Sequence, residues 1–142
     1  MNNRRRAGFT LMELLVVVAI LGILATLVTV NVVGYLSRAK IEQAKTQLTQ
    51  LGQGVQTFRI ERGRYPTNEE GLRILAEPTT LHPDGILSPL PKDPWGRDYG
   101  YLCPGRNRSF EIFTLGADGV PGGTGEDTDL YHYQLDQWQE TK

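Results

Sequence analysis

The feature that most constrains this chain is a long apolar run, residues 8–31, that contains one acidic side chain. The run reads GFTLMELLVVVAILGILATLVTVN and follows a short basic leader, MNNRRRA. No charged residue occurs between positions 14 and 30, and a helix needs about 20 apolar residues to cross the hydrocarbon of a bilayer. Because a carboxylate in such a segment is costly to bury, Glu13 is expected to have a function.

The leader and the apolar run have the order of a secretory signal, but their spacing differs from one. A cleavable signal has an apolar region of about 7–15 residues that is followed by a small-residue cleavage site. Here the run is longer, and the residues after it, VVGYL at 32–36, provide no such site. The small pair Ala7-Gly8 precedes the run. Either the leader stays, or the chain is cut ahead of the apolar segment.

Charge orients the apolar segment and excludes one class of partner. Arg4, Arg5 and Arg6 precede the run, so the positive-inside rule places the leader in the cytoplasm and the C-terminal part on the other side of the membrane. The formal net charge of the whole chain is −1. A nearly neutral chain has no global field that attracts nucleic acid, and we expect no nucleic-acid partner.

The chain has a single cysteine, Cys103, which cannot form an intramolecular disulfide. As a nucleophile it would need a histidine, and the chain offers His82 and His132. The sequence favours the alternative that Cys103 is a small buried apolar residue in a strand.

An apolar stripe at helical spacing continues beyond the predicted membrane span. Its members recur at intervals of three and four residues and are Ile41, Ala44, Leu48, Leu51, Val55 and Phe58. We therefore predict one helix from Phe9 to Arg62 whose second half, 34–63, is amphipathic. Gly63 is expected to end it. The stripe is expected to pack on the C-terminal domain. A coiled coil is the competing interpretation, which the short heptad run disfavours.

A short second helix is predicted soon after Gly63. Thr67 and Glu70 have the spacing of a capping box. They predict a short helix that extends to about Ala76, with Leu72 and Leu75 facing inward.

The remainder of the C-terminal domain is expected to contain a proline-rich loop and a small antiparallel sheet. The prolines of 77–96 interrupt both helix and strand, so this stretch is predicted to be an ordered loop. Strands are predicted at 98–103, 109–115 and 131–138, with a hairpin turn at 104–107.

The segment richest in carboxylates is 115–130, which reads LGADGVPGGTGEDTDL. Its acids are Asp118, Glu126, Asp127 and Asp129. Hard cations take oxygen ligands, and a glycine-rich loop can turn its carbonyls inward to supply some of them. The spacing does not match an EF-hand, and zinc is not expected because the loop has no Cys or His. From spacing alone, a solvated mobile loop is favoured over a metal site.

The start of the apolar run, GFTLMELL at 8–15, resembles the N-terminal signal of type IV pilins and pseudopilins. The resemblance implies that a prepilin peptidase cuts after Gly8 and methylates the new N-terminus at Phe9. In a filament, the Glu13 carboxylate would then pair with the α-amine of a neighbouring copy and so serve assembly. The competing interpretation is an ordinary single-pass anchor whose Glu13 reaches the lipid headgroups.

Later landmarks resemble the major pseudopilin family of type II secretion systems. They are RGRYPT at 62–67, EGL at 70–72, LPKDPWG at 90–96 and LGADG at 115–119. The resemblance covers nearly the whole chain, and it implies an α+β fold of the type IV pilin class. The implied parts are a leader at 1–8, a transmembrane and filament-core helix at 9–33, an amphipathic half at 34–63 and a periplasmic domain at 64–142.

The same resemblance implies a structural role and no enzymatic activity. The chain would be the major subunit of the type II secretion pseudopilus, a periplasmic filament that helps push folded exoproteins through the outer membrane. The implied partners are further copies of the chain, minor pseudopilins, the prepilin peptidase, the inner-membrane assembly platform and the outer-membrane secretin. The implied location is the inner membrane, with the N-terminus cytoplasmic and the C-terminal domain periplasmic.

Major pseudopilins bind calcium in the loop that corresponds to 115–130, so the resemblance implies a structural Ca²⁺ site. The implied ligands are the side chains of Asp118, Asp127 and Asp129 and the carbonyls of Leu115, Val120 and Gly125. The loop is longer than in some relatives, which leaves open the choice among Glu126, Asp127 and Asp129.

Two other functions compete with this one. A type IV pilus subunit, used for adhesion, motility or DNA uptake, shares the N-terminal signal but usually carries a C-terminal cysteine pair, which this chain lacks. A membrane-anchored hydrolase would use the carboxylates of 115–130. No nucleophile and base pair stands out for that chemistry, and neither His82 nor His132 lies in a catalytic motif.

Overall fold

The structure is a computed structural model that describes residues 8–106 and 108–134, apart from the side chains of 27–33. In chain order it contains helix α1 (Leu11–Arg62), a first 3₁₀ helix (Gly71–Ala76), strands β1 (Gly100–Leu102) and β2 (Glu111–Thr114), a second 3₁₀ helix (Gly125–Asp127) and strand β3 (Leu130–Tyr131). The chain divides into two compact units, Met1–Leu36 and Ser37–Lys142. The predicted α+β class is confirmed.

Local capping interactions define both ends of α1. Thr10 Oγ1 accepts a hydrogen bond from the Glu13 N–H at 3.2 Å, so Thr10 caps the first turn. Glu13 lies in that turn, where a carboxylate interacts favourably with the helix dipole. At the other end, Gly63 has a φ of 72°, and its N–H donates to the Arg59 carbonyl at 2.8 Å. The predicted end is confirmed, and the helix starts slightly later than predicted.

The first unit exposes apolar side chains on all sides of α1. The large apolar side chains at 14–18 are consecutive and all solvent-exposed, so the apolar surface surrounds the helix. Within the described part of the chain, no helix is both long enough and apolar enough to cross a membrane. The transmembrane segment at 9–33 stays a prediction.

The second unit has its own hydrophobic core, to which α1 contributes the predicted stripe. The buried members of the stripe are Ala44, Leu48, Leu51, Val55 and Phe58, and Ile41 packs at the edge. The other buried members of the core are Leu72, Leu75, Tyr99, Phe110, Ile112 and Leu130. The stripe is therefore covered by the same chain, and the coiled-coil interpretation is wrong.

The predicted capping box forms before the first 3₁₀ helix. The Thr67 N–H donates to Glu70 Oε2 at 2.8 Å, and the Glu70 N–H donates to Thr67 Oγ1 at 3.2 Å. Leu72 and Leu75 are buried, as predicted. Arg64 donates to both carboxylate oxygens of Glu70 at 2.7 Å, and this pairing lowers the pKa of Glu70 to about 2.

The sheet is antiparallel, with the strands in sequence order and β2 in the centre. Tyr101 of β1 lies opposite Ile112, and Thr114 of β2 lies opposite Leu130. The strands predicted at 98–103 and 109–115 are confirmed as shorter strands.

The strand predicted at 131–138 is corrected. Strand β3 is Leu130–Tyr131, residues 132–134 are helical, and the remainder of the predicted strand lies outside the described residues. Where the ladder would continue, the His132 Nδ1 accepts the Ile112 N–H at 3.1 Å. A side chain thus supplies the acceptor that a longer β3 would have supplied from its backbone.

Cys103 follows β1 and does not lie within it. Its side chain is half-buried against the core, and Sγ lies 3.4 Å from the Ser109 carbonyl oxygen. The predicted buried strand position is therefore corrected, because the pairing of β1 with β2 ends at Leu102. The turn predicted at 104–107 includes Asn107, which lies outside the described residues.

Candidate functional site

The segment 115–130 is called the acidic loop below. It connects β2 to β3, and its last residue is the first residue of β3. Its two halves meet at its base, where the Ala117 N–H donates to the Glu126 carbonyl at 2.9 Å. Gly116 has a φ of 65°, and a Cβ at this position would lie 2.5 Å from that same carbonyl oxygen. Glycine is therefore required for this close crossing.

Two of the predicted side-chain ligands hold backbone amides of the loop. Asp118 Oδ1 accepts the Val120 N–H, and Asp129 Oδ2 accepts the Gly122 N–H, each at 3.0 Å. The other carboxylate oxygen, Asp129 Oδ1, is buried and has no hydrogen-bond partner in the described part of the chain. An unsatisfied buried acceptor costs about 1–3 kcal/mol, and a hard cation would satisfy it. The loop therefore offers oxygen donors of the kind that calcium takes, and one of them is left unsatisfied.

The other predicted ligands lie on the same loop in different settings. Asp127 ends the second 3₁₀ helix and Gly125 begins it. The Gly125 carbonyl accepts the Thr128 N–H at 3.3 Å, so that carbonyl already has a partner. Leu115 is half-buried, whereas Val120 is exposed. In the ranges 8–106 and 108–134, no three Asp, Glu, His or Cys side chains form a metal-binding group. The calcium site stays a prediction.

The fourth acid of the loop, Glu126, is bound to groups outside the loop. Its Oε2 accepts the indole N–H of Trp95 at 3.2 Å and lies 3.8 Å from Lys40 Nζ on α1. Hydrogen bonds from Ser37 and Trp95, together with the charge of Lys40, lower the pKa of this carboxyl. The carboxylate thus joins the acidic loop to α1 and to the segment that contains Trp95.

That segment, 93–97, is organised by the buried carboxylate of Asp93, which is 4% exposed. Asp93 Oδ1 accepts the backbone N–H groups of Trp95 and Arg97 at 3.1 and 2.7 Å. Asp93 Oδ2 accepts the hydroxyl of Thr114 in β2 at 2.6 Å. Both oxygens are satisfied, so the turn is held to the sheet just before the acidic loop begins.

Arg97 forms a second support for the loop. Its Nη1 donates to the Gly116 carbonyl at 2.7 Å. A Cβ on Gly119 would lie 2.8 Å from the guanidinium carbon, so the guanidinium packs directly on the loop backbone. The base of the acidic loop is therefore held by Arg97 and by the Glu126 carboxylate.

The two histidines have structural partners. His82 Nε2 lies 2.6 Å from Glu61 Oε1. His132 binds the Ile112 N–H through Nδ1 and stacks on Phe110 with ring centroids 4.7 Å apart. Neither arrangement provides a base beside a nucleophile, so the geometry gives the hydrolase interpretation no support.

The predicted processing residues lie at the start of the first unit. Gly8 and Phe9 precede α1, and Phe9 is 80% exposed. Glu13 is exposed in the first turn of the helix. Cleavage at Gly8, methylation of Phe9 and an assembly role for Glu13 stay predictions.

Sequence reasoning missed the supports of the acidic loop. The motif LPKDPWG carries part of the family resemblance, but no role is predicted from it for Asp93 or Trp95. An Asp whose carboxylate accepts a hydrogen bond from the backbone N–H two residues later is a recognised turn signal. This signal predicts the bond from the Trp95 N–H to Asp93. The contact between Trp95 and Glu126 joins positions 31 residues apart, and no local pattern predicts it.

Two family models together match most of the chain. The family described as "Type II secretion system (T2SS), protein G" matches residues 31–133. The family described as "Prokaryotic N-terminal methylation motif" matches residues 3–29. The second match covers the region that contains Gly8, Phe9 and Glu13.

Relatives and a solved structure give the same result. The type II secretion system core protein G of Vibrio cholerae serotype O1 is 39% identical over 142 residues, which cover 96% of this chain and 97% of the relative. The corresponding protein of Pseudomonas aeruginosa is 39% identical over 137 residues, covering 92% and 96% of the two chains. A crystal structure of the major pseudopilin from the type 2 secretion system of enterohaemorrhagic Escherichia coli matches with a TM-score of 0.59 and 34% identity, covering 73% of this chain and 95% of that one. This chain belongs to the type II secretion system protein G family.

Proposed function

We propose that this chain is the major pseudopilin of a type II secretion system, a structural subunit that polymerises into a periplasmic filament. The filament helps push folded exoproteins through the outer membrane. The match of the protein G family over 31–133, directly after a methylation motif at 3–29, is the observation that carries this proposal. A chain with one apolar end and one folded end suits an open-ended assembly of identical copies.

The location and the partners follow from this role. The segment 9–33 anchors the chain in the inner membrane, with the leader in the cytoplasm and the folded domain in the periplasm. The partners are other copies of the chain, minor pseudopilins, the prepilin peptidase, the inner-membrane assembly platform and the outer-membrane secretin. The chain is a substrate of the peptidase and performs no chemistry itself.

The experiment that tests this function compares secretion with fibre formation. Deleting the gene and restoring it from a plasmid should abolish and then recover the release of exoproteins, while surface motility and adhesion stay unchanged. Long surface fibres at native expression, together with normal exoprotein release in the deletion strain, would contradict the proposal and favour a type IV pilus subunit.

Processing of the N-terminus is the first testable prediction. When the full chain is expressed together with a prepilin peptidase, intact mass should show the loss of residues 1–8 and the gain of one methyl group on Phe9. A bulky residue at the cleavage position should block entry to the peptidase, so the variant Gly8→Val should keep the leader. Mature protein that still begins at Met1 in the parent chain would contradict the prediction.

We further propose that the acidic loop binds one calcium ion through Asp118, Asp127 and Asp129, with carbonyls of Leu115 and Val120. The buried and unsatisfied Asp129 Oδ1 supports this proposal. Calcium supplies a hard cation that cancels the repulsion among the carboxylates and orders the loop. The partners of Glu126 and the hydrogen bond to the Gly125 carbonyl disfavour both of these groups as ligands.

Calcium should therefore stabilise the second unit, which is the second prediction. A ligand that binds only the folded state adds about 2.7 kcal/mol at 100 times its Kd, which corresponds to a rise in Tm of roughly 10 °C or more for a domain of this size. The measurement is thermal unfolding of the full chain in a mild detergent, with Ca²⁺ and with chelator. The variant Asp129→Asn should lose the rise in Tm. Superimposable melting curves of the parent chain in the two conditions would exclude the site.

A further inference from the structure

The acidic loop has one carboxylate whose contacts lie outside the loop, and these contacts suggest a role other than cation binding. Glu126 uses its backbone carbonyl to close the base of the loop through the Ala117 N–H. It uses its carboxylate to accept hydrogen bonds from Trp95 and from Ser37 of α1, and Lys40 of α1 lies 3.8 Å from it. A single residue thus joins three parts of the second unit: the loop, the helix and the segment 93–97.

The position of Glu126 explains why these contacts matter for its neighbours. It directly precedes Asp127 and lies three positions before Asp129, the two acids proposed as ligands in this half of the loop. The backbone is closely packed here, because a Cβ on Gly123 would contact the Asp127 carbonyl. Fixing Glu126 therefore restricts where the two aspartates lie.

We propose that Glu126 is a positioning residue, which acts with Lys40 and Trp95 as a latch that holds the acidic loop against α1 in the geometry that binds calcium. This inference rests on the calcium site proposed above. It assigns Glu126 to the support of that site. It also makes Lys40 on α1 a determinant of calcium affinity, although the positively charged Lys40 side chain cannot itself be a calcium ligand.

Replacing Lys40 provides the sharpest test. A role as a nearby charge and a role in the latch predict opposite changes in calcium affinity. If Lys40 acts only as a nearby positive charge, the variant Lys40→Met removes a repulsion and strengthens calcium binding. If Lys40 holds the latch, the same variant loosens the loop and weakens binding by about tenfold, as is typical for residues that support metal ligands. The measurement is isothermal titration of the full chain in detergent with Ca²⁺.

A matched control is available on the same helix. Lys45 pairs with Glu42 at 2.7 Å, and its side chain is 32% exposed, against 33% for Lys40. The variant Lys45→Met removes the same charge from α1 at a side chain that pairs with Glu42, so calcium affinity should stay the same or rise slightly. A loss of affinity in Lys45→Met equal to that in Lys40→Met would overturn the proposal.

The role of Glu126 is tested by combining its substitution with that of Lys40. The variant Glu126→Gln should weaken calcium binding by about tenfold, and in the Lys40→Met background it should add little, because both substitutions release the same latch. If Glu126 were a direct ligand, its loss would weaken binding equally in both backgrounds, and the latch would be excluded.

A measurement without metal separates failure of the latch from failure of the calcium site. In chelator, amide hydrogen exchange of 116–129 should be faster by about fivefold or more in Lys40→Met and Glu126→Gln, and unchanged in Lys45→Met. If the parent chain binds no calcium but this exchange pattern holds, the calcium site is wrong and the latch stands as a structural device. Unchanged exchange in both latch variants would overturn the latch whatever the calcium result.

Discussion

Replacing Asp93 with alanine is expected to lower the free energy of unfolding of the second unit by about 3–5 kcal/mol, because it leaves three donors without their acceptor and each unsatisfied buried group costs about 1–3 kcal/mol. The side chain is 4% exposed and accepts the Trp95 and Arg97 N–H groups and the Thr114 hydroxyl. Alanine would leave these donors without their acceptor and would open a small cavity.

The matched variants separate the hydrogen bonds from the charge. The variant Asp93→Asn keeps one oxygen for the two N–H groups, and its amide can donate to the Thr114 hydroxyl oxygen, so we expect it to cost about 1–2 kcal/mol. The variant Asp98→Ala removes a carboxylate whose side chain is 88% exposed, and it should change stability by less than about 0.5 kcal/mol.

The measurement is urea unfolding of the full chain in detergent, followed by tryptophan fluorescence. Trp95 reports directly on the turn, because its N–H is one of the groups that Asp93 holds. The expected order of midpoints is parent and Asp98→Ala highest, then Asp93→Asn, then Asp93→Ala. An unfolding midpoint of Asp93→Ala equal to that of the parent would show that the turn is not anchored by this carboxylate.

The parts of the fold that the sequence predicted correctly are those in which the determining residues are close in the chain. The apolar stripe from Ala44 to Phe58 is predicted from the spacing of its residues along one helix, and its burial is confirmed. The end of α1 at Gly63 and the capping box of Thr67 and Glu70 each involve a few neighbouring residues. Local rules of capping and periodicity decide such features.

The errors arose where a distant residue competes with a local pattern. The alternation after Tyr131 resembles a strand, but the His132 imidazole takes the Ile112 N–H, and residues 132–134 are helical. Cys103 was assigned to a strand that ends one residue earlier, because the register with β2 ends at Leu102. Neither outcome can be derived from the segment itself.

In the candidate site, too, the features set by neighbouring residues could be predicted and those set by distant residues could not. The acids and glycines of the loop were visible in the sequence, and the resemblance assigned them a cation. The supports of the loop were not visible, because Thr114 lies 21 positions from Asp93 and Glu126 lies 31 positions from Trp95. Which acid of 126–129 faces α1 depends on these contacts, and only the folded chain brings them together.

Replacing Glu13 with alanine is expected to prevent filament assembly while leaving membrane insertion intact. After the proposed cleavage, Phe9 would carry a new α-amine, and in the apolar bundle of the proposed filament neither this charge nor the Glu13 carboxylate would be tolerated without a partner. Removing one partner of a buried pair costs about 3–5 kcal/mol, so assembly should fall by at least about 100-fold. Alanine is uncharged, so no charge has to be buried in the bilayer, and membrane insertion should be unaffected or slightly improved.

Two further variants distinguish this pairing from a role inside the helix. Glu13 lies in the first turn, where its interaction with the helix dipole contributes only about 0.3–1 kcal/mol. The variant Glu13→Gln keeps size and polarity but removes the charge, and it should assemble as poorly as alanine, whereas Glu13→Asp should keep part of the assembly. Sheared filaments are counted by electron microscopy and quantified by immunoblot, and membrane flotation measures insertion. Filaments of Glu13→Gln at the level of the parent would show that charge pairing is not what joins the subunits. Loss of flotation would instead assign Glu13 to insertion.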